Sequence, residues 1–111
     1  MTGITVHYKG GNIVGFTAKG HSGYAERGED IVCAAISALT QTAYLGITEL
    51  AGADVDFSVR DGELRLMLHD GLSPETKEKA ELILGTMLLG LRSVKDNYSD
   101  YLKIVKREVK A

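Results

Sequence analysis

The sequence predicts an α+β fold with elements in the order β-β-α-β-β-α-β and a mixed or antiparallel sheet packed against two helices. Three observations carry this. Two pairs of alternating apolar and polar runs are each joined by a two-residue turn signal, Gly10-Gly11 and Asp61-Gly62. Each pair is followed by a long apolar stretch suited to a packed helix. The 111 residues, 44% hydrophobic and 25% charged, suit one globular domain spanning 1–111.

The first strand is read from Ile4, Val6 and Tyr8 alternating with Thr5, His7 and Lys9, and the second from Val14, Phe16 and Ala18. A hairpin over 2–19 results. Gly20 to Glu29 has no apolar period and is rich in glycine, which predicts a mobile surface loop of the kind that carries binding groups. Asp30 is expected to cap a helix from Ile31 to about Leu50, mostly buried because so few of its positions are polar. Val55, Phe57 and Val59 then alternate with Asp54, Asp56 and Ser58. Past the Asp-Gly turn, Leu64, Leu66 and Leu68 alternate with Glu63, Arg65, Met67 and His69. Ser73 caps a second helix with Pro74 at its first position, and Ala80, Ile83, Leu84, Met87, Leu88, Leu91 and Val94 form its apolar stripe. A last strand is expected at about 101–108, although Leu102, Val105 and Val109 also fit a helical period.

Composition excludes several functions. A formal net charge of −2 gives no basic face for direct nucleic-acid binding. The basic run Lys103, Lys106, Arg107 and Lys110 reads as a charged edge against aggregation. One cysteine cannot close a disulfide within the chain, and the N-terminus has no signal-peptide pattern, so a cytoplasmic protein is expected. The 18 residues from Ile31 to Thr48 carry no charge, yet their threonines, serine and glutamine point to a core helix rather than a membrane span. His7, His21, His69 and Cys33 have no ligand spacing, so neither a metal nor another cofactor is expected.

Cys33 has two readings. Among Ile31, Val32, Ala34 and Ala35 it suits a small buried hydrophobe, the commoner case. With Asp30 as cap it would also sit in the first helical turn, where free N–H groups and the helix dipole favour a thiolate. Of the histidines, His7 and His69 fall on polar strand faces, whereas His21 lies in the loop 12 residues before Cys33. A Cys–His pair suits attack on a carbonyl and protonation of the leaving amine. Asp30 is either that cap or a group orienting imidazole, and a cap would compete with the oxyanion for the N–H groups at the helix start. Ser37, one turn after Cys33, is expected to satisfy a carbonyl of the preceding turn.

Gly20-His21-Ser22-Gly23-Tyr24, followed by Gly28-Glu29-Asp30-Ile31-Val32-Cys33-Ala34-Ala35-Ile36-Ser37-Ala38-Leu39, resembles the bacterial ribosomal-processing cysteine protease family, Prp. The likeness covers the whole chain, and its specificity rests on both segments at that spacing. The resemblance implies a homodimeric endopeptidase that removes a short N-terminal extension from the precursor of large-subunit ribosomal protein twenty-seven, cutting after an aromatic residue. It implies Cys33 as nucleophile and His21 as general base and acid, with Asp30, Ser37, Gly20, Ser22 and Gly23 as supporting or loop-ordering positions. Two other readings stay open at the level of sequence: a dimeric binding module with a structural Cys33, and a redox sensor in which Cys33 is oxidised.

Overall fold

Both hairpins form where the alternation places them. β1 (Thr2–Lys9) pairs antiparallel with β2 (Asn12–Lys19), and β3 (Val55–Arg60) with β4 (Glu63–Leu68). The second turn takes positive φ at Asp61 (50°) and Gly62 (75°), as a tight Asp-Gly hairpin requires. The structure is a computed structural model that describes residues 1–20 and 27–110; residues 21–26, residue 111 and the side chains of 27–30 lie outside that description.

The strand order is β3-β4-β2-β1-β5, and β5 (Leu102–Glu108) runs parallel to β1, so the sheet is mixed. β2 pairs antiparallel with β4, which makes β2 parallel to β3 and β4 parallel to β5. Each helix is therefore a crossover between two parallel, non-adjacent strands. In β1 the register shifts after His7, which pairs with Gly15 while Tyr8 pairs with Ile13, leaving Val14 as a bulge. A Cβ on Gly15 would lie 2.3 Å from the Leu66 carbonyl oxygen, so glycine is needed for the close approach of β2 to β4.

One sheet face carries the core. Ile4, Val6, Phe16, Ala18, Leu66 and Leu102 are buried against Val32, Ile36, Ala43 and Ile47 of the first helix and Ala80, Leu84, Met87, Leu88 and Leu91 of the second. The second helix, α2 (Pro74–Asn97), opens as expected: the Thr76 N–H donates to the Ser73 hydroxyl at 3.2 Å, with Pro74 following the cap.

The first helix departs from expectation in three ways. α1 runs from Arg27 to Leu45, so Asp30 lies inside it and is not its cap. Periodicity marks only the packed part of a helix, and a first turn of Arg, Gly, Glu and Asp carries no apolar signal. Gly46–Leu50 continues as a π-helical turn, closed by the Ala51 N–H on the Gly46 carbonyl at 3.0 Å. The helix is also not mostly buried. Val32, Ile36, Thr40, Ala43 and Ile47 pack inward, while Ile31, Ala34, Ala38, Leu45 and Leu50 are exposed. A two-layer fold has one sheet face to cover with helices, and among the described residues the outer side of the helical layer meets nothing else. By length and composition Ile31–Leu50 could cross a membrane, but its inward residues pack on the sheet.

Candidate active site

Four segments converge on Cys33 at one end of the sheet: the start of β1, the end of β2, the β3–β4 turn and the inward side of α1. Cys33 is half-buried. Thr2, almost fully buried at the start of β1, places its hydroxyl oxygen 3.7 Å from Cys33 Sγ and 3.1 Å from the Gly20 carbonyl oxygen, to which it donates. Thr2 is itself anchored by its N–H on the Tyr101 carbonyl at 3.1 Å, just ahead of β5. Gly20 donates its N–H to the Gly62 carbonyl at 3.3 Å, tying the end of β2 to the β3–β4 turn. Its φ is +92°, and an added Cβ would lie 2.9 Å from the Met1 carbonyl oxygen, so this position requires glycine on two counts.

Beside the sulfur opens a cleft of about 230 Å³. Ala18, Ile36, Val59 and Leu64 give it apolar walls, and Cys33, Ser37, Thr2 and Gln41 face it with polar atoms. The Lys19 ammonium and Glu63 carboxylate stand 3.9 Å apart at its edge, an exposed pair worth little in stability. Thr40 is buried within the lining and donates to the Ile36 carbonyl at 2.8 Å, so its hydroxyl is spent inside the helix. Such a cleft suits an apolar side chain held next to a nucleophilic sulfur.

The helix start found at Arg27 changes the chemistry at Cys33. The backbone is already helical from Arg27, so Cys33 lies beyond the first turn in which the sequence reading placed it. The Cys33 N–H is an interior helical donor. It is therefore no candidate for the oxyanion hole, and the expected competition with an Asp30 cap disappears. Ser37 faces the cleft and, among the described residues, makes no side-chain hydrogen bond, so the expected bond to the preceding turn is absent.

The described histidines stand elsewhere. His7 alternates with the buried Ile4 and Val6, which turns it to the open face of the sheet, where its Nε2 lies 2.9 Å from Thr17 Oγ1. Burial, then the guanidinium groups of Arg65 and Arg107, hold its pKa below the ordinary 6.5. His69, just past β4 at the opposite end of the sheet, lies 3.1 Å from Asp56 in an exposed pair. Both stand on the polar strand faces expected for them, His69 in solvent and His7 partly buried. Of the residues singled out from sequence, the structure brings Cys33, Gly20 and Ser37 to one site. His21, Ser22 and Gly23, and the side chain of Asp30, lie outside the described residues.

Sequence reasoning missed Thr2 and the walls from Val59 and Leu64. Thr2 had a signal: it shares the even-numbered, core-facing register of Ile4 and Val6, and a polar residue there needs a partner. The walls had none, because the pairing of β2 with β4 brings them to Cys33.

Comparison with known proteins agrees with this geometry. The family model for cysteine protease Prp matches residues 1–103. The ribosomal processing cysteine protease Prp of Bacillus subtilis is 32% identical over 100 residues, covering 88% of each chain. The structure of the essential ribosomal processing protease Prp from S. aureus with a substrate peptide superposes with a TM-score of 0.86 at 24% identity, over 96% of this chain and all of that one. The same S. aureus protease with a covalently linked product peptide gives a TM-score of 0.83 at 25% identity and the same coverage.

Proposed function

Since the chain belongs to the cysteine protease Prp family, we propose that it removes a short N-terminal extension from large-subunit ribosomal protein twenty-seven, using Cys33 and His21 as a catalytic dyad. The observation that carries this reading is the half-buried Cys33 beside an apolar cleft at the sheet end where Gly20, the neighbour of His21 in sequence, is anchored. His21 takes the thiol proton, and the thiolate attacks the scissile carbonyl carbon. The tetrahedral oxyanion collapses as His21 returns the proton to the leaving amine, giving a thioester and the shortened protein. Water, deprotonated by His21, attacks the thioester carbon; the C–S bond breaks, the extension leaves as a carboxylic acid, and the Cys33 thiolate takes back the proton from His21.

The apolar cleft supports cleavage after an aromatic residue, whose ring Ala18, Ile36, Val59 and Leu64 would enclose. Oxyanion donors come from outside the interior of α1, since its amides are committed to the helix. The enzyme acts in the cytoplasm, where a lone thiol stays reduced. It acts there as a homodimer. The support for this is the outer side of the helical layer, where Leu50, Leu82 and Leu89 are 83%, 72% and 67% exposed. There a groove of about 380 Å³ runs between the helices. Burying such a patch in a second copy removes apolar area from water.

The deciding test incubates the ribosomal protein precursor with wild type, Cys33→Ser and His21→Ala, and reads intact mass. Loss of one N-terminal fragment with wild type alone supports the dyad. Cleavage by either variant refutes it. Sedimentation of wild type beside Leu50→Glu tests the dimer, which is expected to dissociate in the variant.

A further inference from the structure

Thr2 has one hydroxyl proton and two claimants for it. Thr2 Oγ1 lies 3.1 Å from the Gly20 carbonyl oxygen, to which it donates, and 3.7 Å from Cys33 Sγ, within reach of a sulfur hydrogen bond. With that proton on Gly20, the hydroxyl can only accept from sulfur, so the present geometry suits a protonated thiol. Removing the thiol proton turns Sγ into an acceptor only. Thr2 Oγ1 then gains by rotating its proton onto the sulfur, because a hydrogen bond to an ion is stronger than one to a neutral carbonyl.

We propose that Thr2 is a positioning residue for the nucleophile: its hydroxyl holds the thiol in place and donates to the thiolate once Cys33 ionises, letting go of the Gly20 carbonyl. The balance is simple. The thiol proton passes to the catalytic base, no bond to carbon changes, and one hydrogen bond moves from a carbonyl oxygen to a sulfur anion. The geometry around the hydroxyl suits this exchange. Thr2 is 5% exposed, so water competes poorly for the bond. Its backbone is pinned to Tyr101, and Gly20 is pinned to Gly62, so only the hydroxyl rotor needs to move. Gly20 also directly precedes His21, so the exchange ties ionisation of the nucleophile to the backbone next to the proposed base.

This inference rests on Cys33 being the nucleophile, and its test separates the two. Wild type, Thr2→Val and Thr2→Ser are alkylated with iodoacetamide from pH 5 to 9, a measurement that needs no substrate. Thr2→Val keeps the branched shape and removes the hydroxyl. Its alkylation is expected to slow about tenfold at neutral pH, with the profile displaced by about one unit to higher pH, the size of one lost hydrogen bond to an ion. Thr2→Ser restores the wild-type profile. In precursor cleavage, kcat falls in Thr2→Val while KM is unchanged. Should Thr2→Val fail to fold, Thr2→Ala compared with Thr2→Ser gives the same contrast. Superimposable alkylation profiles with and without the hydroxyl overturn the role of Thr2. Precursor cleavage by Cys33→Ser overturns the nucleophile itself, whatever the alkylation shows.

Discussion

α1 and α2 lean on the same sheet face, and each crosses between parallel strands, yet they are built on different terms. α2 starts at a capped serine, follows it with proline and buries one stripe from Ala80 to Leu91. α1 starts without a local signal, carries Cys33 seven residues in, and ends in a π-helical turn. It buries a row of small and branched residues and leaves another apolar row in solvent. A helix whose task is to hold a fold can be specified by its own residues. One that carries the proposed nucleophile beside an open cleft depends on what the sheet places around it.

That contrast can be broken by substitution. Cys33→Ala in α1 is expected to lower precursor cleavage by more than about 10³-fold, equivalent to some 4 kcal/mol of transition-state stabilisation, with little change in melting temperature. A large loss of stability instead would make Cys33 a packing residue. Leu84→Ala in α2 should do the reverse, costing about 2–5 kcal/mol in denaturant unfolding because Leu84 is fully buried. The activity of its folded fraction should stay intact. Ser73→Ala, which removes the cap bond to Thr76, should cost about 1 kcal/mol and leave cleavage unchanged.

The smallest effect concerns the open sheet face, which neither helix covers. Burial, with Arg65 and Arg107, holds His7 below its ordinary pKa of 6.5, so the folded protein resists a proton that the unfolded chain accepts. Stability from this source is complete above about pH 6.5, the unfolded value, and is lost as pH falls through the folded one. Wild type should therefore lose more melting temperature between pH 7 and pH 5 than His7→Asn. Parallel melting curves for the two proteins would show that His7 contributes nothing.

Much of the fold was legible because its signals are local. Alternation in β1 and β4, the Asp61-Gly62 turn and the Ser73-Pro74 start of α2 are each complete within a few residues. The start of α1 was not legible, since Asp30 before an apolar run looks like a cap whether or not the helix continues behind it. Cys33 and Gly20 were legible as candidates through their sequence context. The role of Cys33 changed when the helix gained a turn, which moved the free N–H groups away from it.

By itself, the sequence determined the first six elements and their order, the family and the candidate pair His21 and Cys33, because these follow from period, turn chemistry and motif spacing. The last strand shared its signal with a helical period. Only the tertiary structure decided the strand order, the parallel docking of β5 on β1, the exposed side of α1, and the meeting of Thr2 and Leu64 with Cys33. Those facts depend on backbone pairing between segments up to a hundred residues apart. The backbone groups that form it are the same at nearly every residue, so no short stretch of side chains can announce which strand will lie beside which.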